Sequence, residues 1–174
     1  MIPRVPRTGR SPAARRARPL AVLFCGLALA GCDAPPCGPA RAQVTRVLDG
    51  DTIELAGGEL VRYLLVDAPE LSRGDCFARE ALTDNRALVL GRQVTLAYDV
   101  QCRDAYERLL AYVTVEDEAG AVDVNRALIE RGAACVLHIP PNGAERLGEL
   151  TAAQARARAE QRGLWAACPR KRCR

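Results

Sequence analysis

Alternation of apolar and polar positions divides residues 43–165 into short elements. Residues 43–49 alternate around Val44, Arg46 and Val47 and run into Asp49-Gly50, a tight-turn pair. Residues 52–55 and 60–66 read as the next two strands, joined across Gly57-Gly58, so the first three strands form a meander. Residues 77–90 place Phe77, Ala81, Leu82 and Leu88 at helical spacing, and Gly91 stops that helix. Alternation returns in 93–98, with Val94, Leu96 and Tyr98 on one face, and again in 109–115. Residues 123–131 predict a short helix ended by Gly132, and 144–162, rich in Ala, Glu, Gln and Arg, predict the longest one, running to Gly163-Leu164-Trp165. Five strands with about three helices between and after them predict an α+β domain. A five-stranded meander is compatible with a small closed barrel, although periodicity alone does not close it.

The N-terminus follows another logic. Residues 1–19 hold six arginines and no acid, residues 20–30 are an unbroken apolar run, and Gly31-Cys32 follows. These are the parts of a secretory signal. The run is too short to span a bilayer, which takes roughly twenty residues. Leu29-Ala30-Gly31-Cys32 resembles the lipobox of bacterial lipoproteins. That resemblance implies removal of residues 1–31, acylation of Cys32, and a chain anchored to a membrane at the cell envelope, on its periplasmic or extracellular side. A plain cleavable signal and a retained membrane segment are the alternatives. Residues 32–42 then read as the lipidated cysteine and a proline-rich tether, 43–168 as the folded domain, and 169–174 as a basic tail.

Setting the signal aside changes the charge. Six of the 25 basic residues and none of the 21 acidic ones precede Asp33, so 19 basic face 21 acidic in the remainder. The positive balance belongs to the export signal, and any argument for nucleic-acid binding has to rest on a site rather than on a basic footprint. Beyond Cys25 and Cys32, six cysteines remain: Cys37, Cys76, Cys102, Cys135, Cys168 and Cys173. An even number in an exported chain points to disulfides. Fifteen pairings are open for six cysteines; Cys76–Cys102 is weakly favoured because both flank the candidate site loops. With no Cys-x-x-Cys pair and His138 as the only histidine, a structural zinc site is poorly supported.

With its turn near 57–59, the second hairpin is expected to bring Asp51 and Asp67 opposite each other at its open end, within about one residue of register. Opposed carboxylates repel, a cost tolerated where a hard, oxygen-liganded cation sits between them. Asp-Gly and Asp-Ala-Pro are also common turn sequences, and either motif alone reads first as a turn.

Taken in order, Asp49-Gly50-Asp51-Thr52, Arg62-x-x-x-x-Asp67-Ala68-Pro69-Glu70 and Asp104-x-Tyr106-x-Arg108 resemble the staphylococcal nuclease-like (thermonuclease) family. Val124-Asn125, Gly132, Pro140-Pro141-Asn142 and Gly163-Leu164-Trp165 extend the resemblance over residues 43–168. It implies an OB-type five-stranded barrel with three helices, a monomer, and Ca²⁺-dependent, sugar-nonspecific hydrolysis of DNA and/or RNA. In that reading Asp51, Asp67 and the carbonyl of Ala68 hold Ca²⁺, and Glu70 activates the attacking water. Arg62 and Arg108 clamp the phosphate, and Tyr106 hydrogen-bonds it. The family's base-stacking aromatics fall at His138 and Pro140, so His138 is the candidate for substrate contact, with a half-buried structural residue as the alternative. Glu107 stands where the family often has glycine and adds negative charge beside Arg108. Trp165 reads as core, and Arg156, Arg158 and Arg162 as a solvated helix face.

Arg62 and Asp67 are five residues apart and point to opposite faces of a regular strand. Sharing a site requires a bulge or sharp curvature between them. A non-catalytic OB-type module that binds nucleic acid or a phosphorylated ligand, and a structural lipoprotein, are the competing functions.

Overall fold

A computed structural model describes Met1, residues 37–117 and residues 120–168. The expected signal beyond Met1, Cys32, residues 33–36 of the tether, Cys173 and the basic tail lie outside the described residues. Six strands and four helices are present among the described residues: β1 (Arg41–Val47), β2 (Thr52–Leu55), β3 (Leu60–Tyr63), α1 (Ala78–Val89), β4 (Gln93–Arg103), β5 (Leu109–Asp117), β6 (Gly120–Asp123), α2 (Val124–Arg131), α3 (Leu147–Ala159) and the one-turn α4 (Leu164–Ala167). The strands run in the order β3-β2-β1-β4-β5-β6, and β3 also pairs in parallel with β5 through Val61–Leu109 and Tyr63–Ala111. That second pairing closes the first five strands into a ring, the OB-type arrangement expected. β6 is an added strand that hairpins back on β5; its polar, glycine-led sequence lacks the alternation that marks the others.

Burial follows the pleat. Along β5, Leu109, Ala111, Val113 and Val115 are all buried and face the ring interior with Val44, Ile53, Leu55, Val61 and Val94. α1 adds Ala81, Leu88 and Val89 to this core, and α2 adds Val124, Leu128 and Ile129. α2 starts at Asp123, whose carboxylate accepts from the Arg126 N–H at 3.1 Å, and ends at Gly132 with φ 69°. A Cβ on Gly132 would meet the Arg162 carbonyl oxygen at 2.3 Å, so glycine there lets the turn before α4 approach closely. α3 buries only the narrow stripe Leu150, Ala153 and Ala157. Trp165 is buried in a second cluster with Cys135, Ala157, Leu164 and Cys168, and Arg156, Arg158 and Arg162 lie exposed, as expected.

Two expectations require correction. The β2–β3 hairpin turns earlier than 57–59: Thr52 faces Arg62 and Ile53 faces Val61, and the Gly58 N–H closes the turn on the Leu55 carbonyl at 2.8 Å. Asp51 therefore lies across from Tyr63, whose N–H bonds its carbonyl at 3.0 Å, and not across from Asp67. The disulfides also differ from Cys76–Cys102. Cys37 pairs with Cys102, Cys76 pairs with Cys168, and Cys135 is disulfide-bonded as well. Cys102 is near the end of β4, where residues leading into β1 pass, whereas Cys76 precedes α1 and meets the end of α4. Flanking the same site did not make them neighbours.

Asn125 ties the ring to the segment that leaves β3. Its amide donates to the Leu64 carbonyl at 2.8 Å and accepts from the Val113 N–H at 2.9 Å, wholly buried. Replacing it with alanine strands both backbone groups. Asn125→Ala is expected to lower stability by about 2–4 kcal/mol, read as a shift of the urea midpoint without a change in slope.

Candidate active site

Asp51 sits in a turn built from its neighbours. The Asp49 carboxylate accepts from the Asp51 N–H at 3.1 Å, and the Leu48 N–H reaches the Thr52 carbonyl at 3.0 Å. Asn85 on α1 braces this turn, donating to the Asp49 carbonyl at 3.0 Å and accepting from the Tyr63 hydroxyl at 2.9 Å. Burial pushes the Tyr63 hydroxyl well above its usual pKa, so it stays a neutral donor. Gly50 is packed so closely that a Cβ would lie 2.5 Å from that of Ala68 and 2.9 Å from that of Ala81. The turn thereby presses against the Asp67-Ala68 segment. Asp51 accepts the Ala68 N–H at 2.6 Å on Oδ2 and the Thr52 hydroxyl at 3.0 Å on Oδ1.

The curvature that Arg62 and Asp67 require comes just after β3. Leu65 has φ 60°, in the left-handed region, and the Arg62 Nη1 donates to the carbonyls of Tyr63 (3.1 Å) and Val66 on either side of that turn. Asp67 then pairs with Cys135 through two backbone bonds of 2.8 and 2.9 Å. As a result the Arg62 Nη2 lies 3.1 Å from Asp51 Oδ2 and 3.5 Å from Asp67 Oδ1. Both acids are 5% exposed.

The other expected residues come from two loops. Glu70 begins a one-turn 3₁₀ helix (Leu71–Arg73), and its carboxylate lies 3.5 Å from Arg73 Nη2. In the loop between β4 and β5, Asp104 organises the backbone: Oδ1 accepts the N–H groups of Tyr106 (2.9 Å) and Arg108 (3.0 Å), while Oδ2 takes Arg108 Nε at 2.7 Å and Nη2 at 2.6 Å. Burial pushes the Asp104 carboxyl up, but the hydrogen bonds and charge of Arg108 outweigh that and hold it below the usual carboxylate value. Arg108 stacks against Tyr106, 5.4 Å from the ring centroid, and Tyr106 is 81% exposed. Asp104, not Glu107, is thus the acid that offsets Arg108. Glu107 has φ 63°, which gives a physical reason for glycine at that position.

One cleft of about 690 Å³ is lined by Asp49, Asp51, Arg62, Glu70, Arg73, Asp104, Tyr106 and Arg108, together with Leu60, Leu137 and Ile139 among its apolar members. Asp67 reaches it through Arg62. His138 is not among the lining residues; its ring packs under Gly143, and its Nε2 is buried without a hydrogen-bond partner. Over residues 60–167 the sequence matches the family described as staphylococcal nuclease homologue. The chain belongs to the staphylococcal nuclease family. An uncharacterized endonuclease of Escherichia coli O157:H7 is 33% identical over 132 residues, 74% of this chain and 79% of the relative. A thermonuclease of Staphylococcus intermedius is 33% identical over 129 residues, 70% and 74% of the two chains. Endonuclease YncB of Bacillus subtilis is 30% identical over 133 residues, 72% of this chain and 61% of the relative.

Four supports of this family site, Asn85, Asn125, Arg73 and Asn142, receive no role from the sequence alone. Asn85 and Asn125 interrupt the apolar faces of α1 and α2, which is the signal that finds them. Arg73 gives no such signal, and Asn142 is marked only by its place in the Pro140-Pro141-Asn142 resemblance; its amide joins the β4 backbone by bonds of 2.6 and 2.8 Å to Gln101. Oxygen-only donors at Asp51 and Asp67, with backbone carbonyls beside them, suit a hard cation such as Ca²⁺ or Mg²⁺. Among the described residues no third Asp, Glu, His or Cys joins them, so carbonyls and water have to complete any such shell.

Burial pushes the Asp51 carboxyl up to about 7; Arg62 pulls it back and Asp49 adds to the rise. A raised acid pKa means that the folded chain binds the proton more tightly than the unfolded chain. Stability from this group is therefore lost as pH climbs from about 4 through about 7. In chelator, Asp51→Asn is expected to melt roughly 5 °C above the wild type at pH 8. Near pH 4 the two should melt together, because Asp51 is then neutral and Arg62 keeps Asp67. Calorimetry across that range checks the slope.

Proposed function

We propose that this protein is a Ca²⁺-dependent nuclease that hydrolyses phosphodiester bonds in DNA and RNA alike. The observation that carries this reading is the meeting of two buried carboxylates on Arg62 in a cleft that Glu70, Tyr106 and Arg108 also line. The groups that would meet the substrate, Arg62, Arg108 and a cation on the carboxylates, suit a phosphate, the part that both sugars share, which supports a sugar-nonspecific reaction. Held by Asp51, Asp67 and the Ala68 carbonyl, Ca²⁺ would polarise a phosphate oxygen and offset its charge.

The chain's own residues do the remainder. Glu70 accepts a proton from the attacking water as its oxygen bonds phosphorus. The bond to the leaving oxygen breaks, and that oxygen takes a proton from solvent. Arg108 donates to the non-bridging oxygens, where charge grows in the transition state, and Arg62 would join it once a cation on Asp51 and Asp67 releases its Nη2. Asp104 Oδ2 takes both donors, Nε and Nη2, of one edge of the Arg108 guanidinium and fixes its plane, and Tyr106 extends the contact outward. Two arginines, one base and no nucleophilic side chain suit direct attack by water. No part of this reading rests on His138.

The Leu29-Ala30-Gly31-Cys32 sequence supports export and anchoring through a lipid on Cys32, with the catalytic domain outside the cytoplasm. Disulfides at Cys37–Cys102 and Cys76–Cys168 fit such an oxidising compartment. Metabolic labelling with a radioactive fatty acid should mark the wild type and leave Cys32→Ala unlabelled; equal labelling would reject the anchor.

Cleavage of single- and double-stranded DNA and RNA by the purified protein should require Ca²⁺ and stop in chelator. Binding without cleavage under every condition would favour the non-catalytic OB-type module. Glu70→Gln should lower kcat by roughly 10²–10⁴-fold while leaving the fold and Ca²⁺ affinity intact, measured by initial rates, circular dichroism and calorimetry.

A further inference from the structure

The loop that carries Glu70 is fixed at its two ends by different means. On the upstream side, Asp67, Ala68 and Pro69 are buried, and their backbone is bonded to Asp51 and Cys135. Downstream, no residue between Glu70 and Cys76 is buried. Bonds within this stretch run from the Gly74 N–H to the Leu71 carbonyl at 3.0 Å, from the Asp75 N–H to the Glu70 carbonyl at 3.2 Å and from the Glu70 N–H to Asp75 Oδ2 at 3.0 Å, and the buried Ala78 at the start of α1 donates its N–H to the Asp75 carbonyl at 3.2 Å. Such a unit is rigid internally, and its orientation about Pro69 is set by what holds its far end, the start of α1 together with Cys76. Cys76 holds it, through its disulfide to Cys168 and an Sγ contact of 3.7 Å to the Ala167 carbonyl. Cys168 is itself 1% exposed, in the cluster formed by Leu164, Trp165, Ala157 and Cys135, against which Phe77 packs. Covalent linkage therefore connects an exposed loop to a packed body six residues from the carboxylate.

We infer that the Cys76–Cys168 disulfide is a positioning element for Glu70, setting where its carboxylate stands relative to the phosphate. This rests on the proposed role of Glu70 as the base. General-base catalysis requires hydrogen-bond reach to the attacking water, and a displacement of about 1 Å at such a group costs on the order of a hundredfold in rate. Asp51, Asp67 and Arg62 have their own backbone supports, so metal binding and substrate affinity do not pass through this bond.

The test is a double-mutant cycle on the purified, oxidised protein, combining Cys76→Ala/Cys168→Ala with Glu70→Gln. Removing the disulfide should lower kcat at least tenfold, with KM and the Ca²⁺ Kd within twofold of wild type. When Glu70→Gln is already present, the same removal should change kcat by less than twofold. A merely structural bond would lower activity by the same factor in both backgrounds, and that result overturns the inference. So does a kcat within twofold of wild type, which would mean that Phe77 suffices as the anchor. If the double cysteine variant does not fold, inserting Gly-Gly between Gly74 and Asp75 keeps the disulfide and slackens the same lever. It should reproduce the kcat loss, and wild-type kcat in that variant overturns the inference. The Glu70→Gln chain alone separates the two ideas: full activity there sinks the base assignment itself, whatever the disulfide does.

Discussion

Everything at this site depends on keeping two buried carboxylates within reach of one guanidinium. Asp51 and Asp67 would repel each other in a medium of low polarity, and neither has enough water to relax into. Arg62 supplies the charge that keeps them together, and its second nitrogen is spent on the carbonyls of Tyr63 and Val66. A guanidinium can do this because its planar donors reach several acceptors at fixed angles; an ammonium could meet the same charge but not the same directions. The backbone had to be shaped around that fork. Leu65 adopts a left-handed conformation, Asn125 bonds the adjacent Leu64 carbonyl, and Gly50 yields the space of a Cβ.

The same logic governs charge in the cleft. Asp49, Asp51, Glu70 and Asp104 line it against Arg62, Arg73 and Arg108, and each arginine is engaged with an acid. A bare cleft of this kind has little net attraction for a polyanion, and the acidic balance beyond the export signal adds none. In the proposed function attraction would come from a cation that the carboxylates capture, which would tie binding of nucleic acid to binding of metal. In its proposed role Arg108 would meet the substrate already oriented by Asp104. Some of its charge is surrendered for that order, an exchange that favours the transition state over loose encounter.

The fold was legible wherever one face of an element is apolar. β4, β5, α1 and α2 stand within a few residues of where alternation and helical spacing put them, because those patterns are the core itself. The pairing of Asp51 with Asp67 was legible as an outcome but for a mistaken reason. Hairpin register would have opposed them directly; in the structure a turn at Leu64-Leu65 folds Asp67 back instead. A two-residue shift of the turn, which moves the partner of Asp51 from Asp67 to Tyr63, is invisible to composition, since it is decided by which carbonyl the turn glycine reaches. Disulfide pairing was equally closed to reading, because it reports distances between segments far apart in the chain. Asn85 and Asn125 show the reverse case. Each is a polar residue on an apolar helical face, and its burial is intelligible only when the backbone groups that it satisfies are known.

These features bear on why a chain of this size is cross-linked beside its chemistry. A buried acid pair, a left-handed Leu65 and an exposed loop at 71–76 all subtract from a modest core. Apolar packing cannot be added where they sit, because the cleft has to stay open to a polyanion. Disulfides offer stabilisation that needs no local burial, acting largely by restricting the unfolded chain, and the two resolved pairs close separations of 65 and 92 residues. Cys102 lies two residues before Asp104, and Cys76 six after Glu70. Both bonds therefore enter the fold where the site has thinned the ordinary means of holding a loop still, and covalent bonds there add to the packing of Phe77 and Ala78 in carrying the geometry of catalysis.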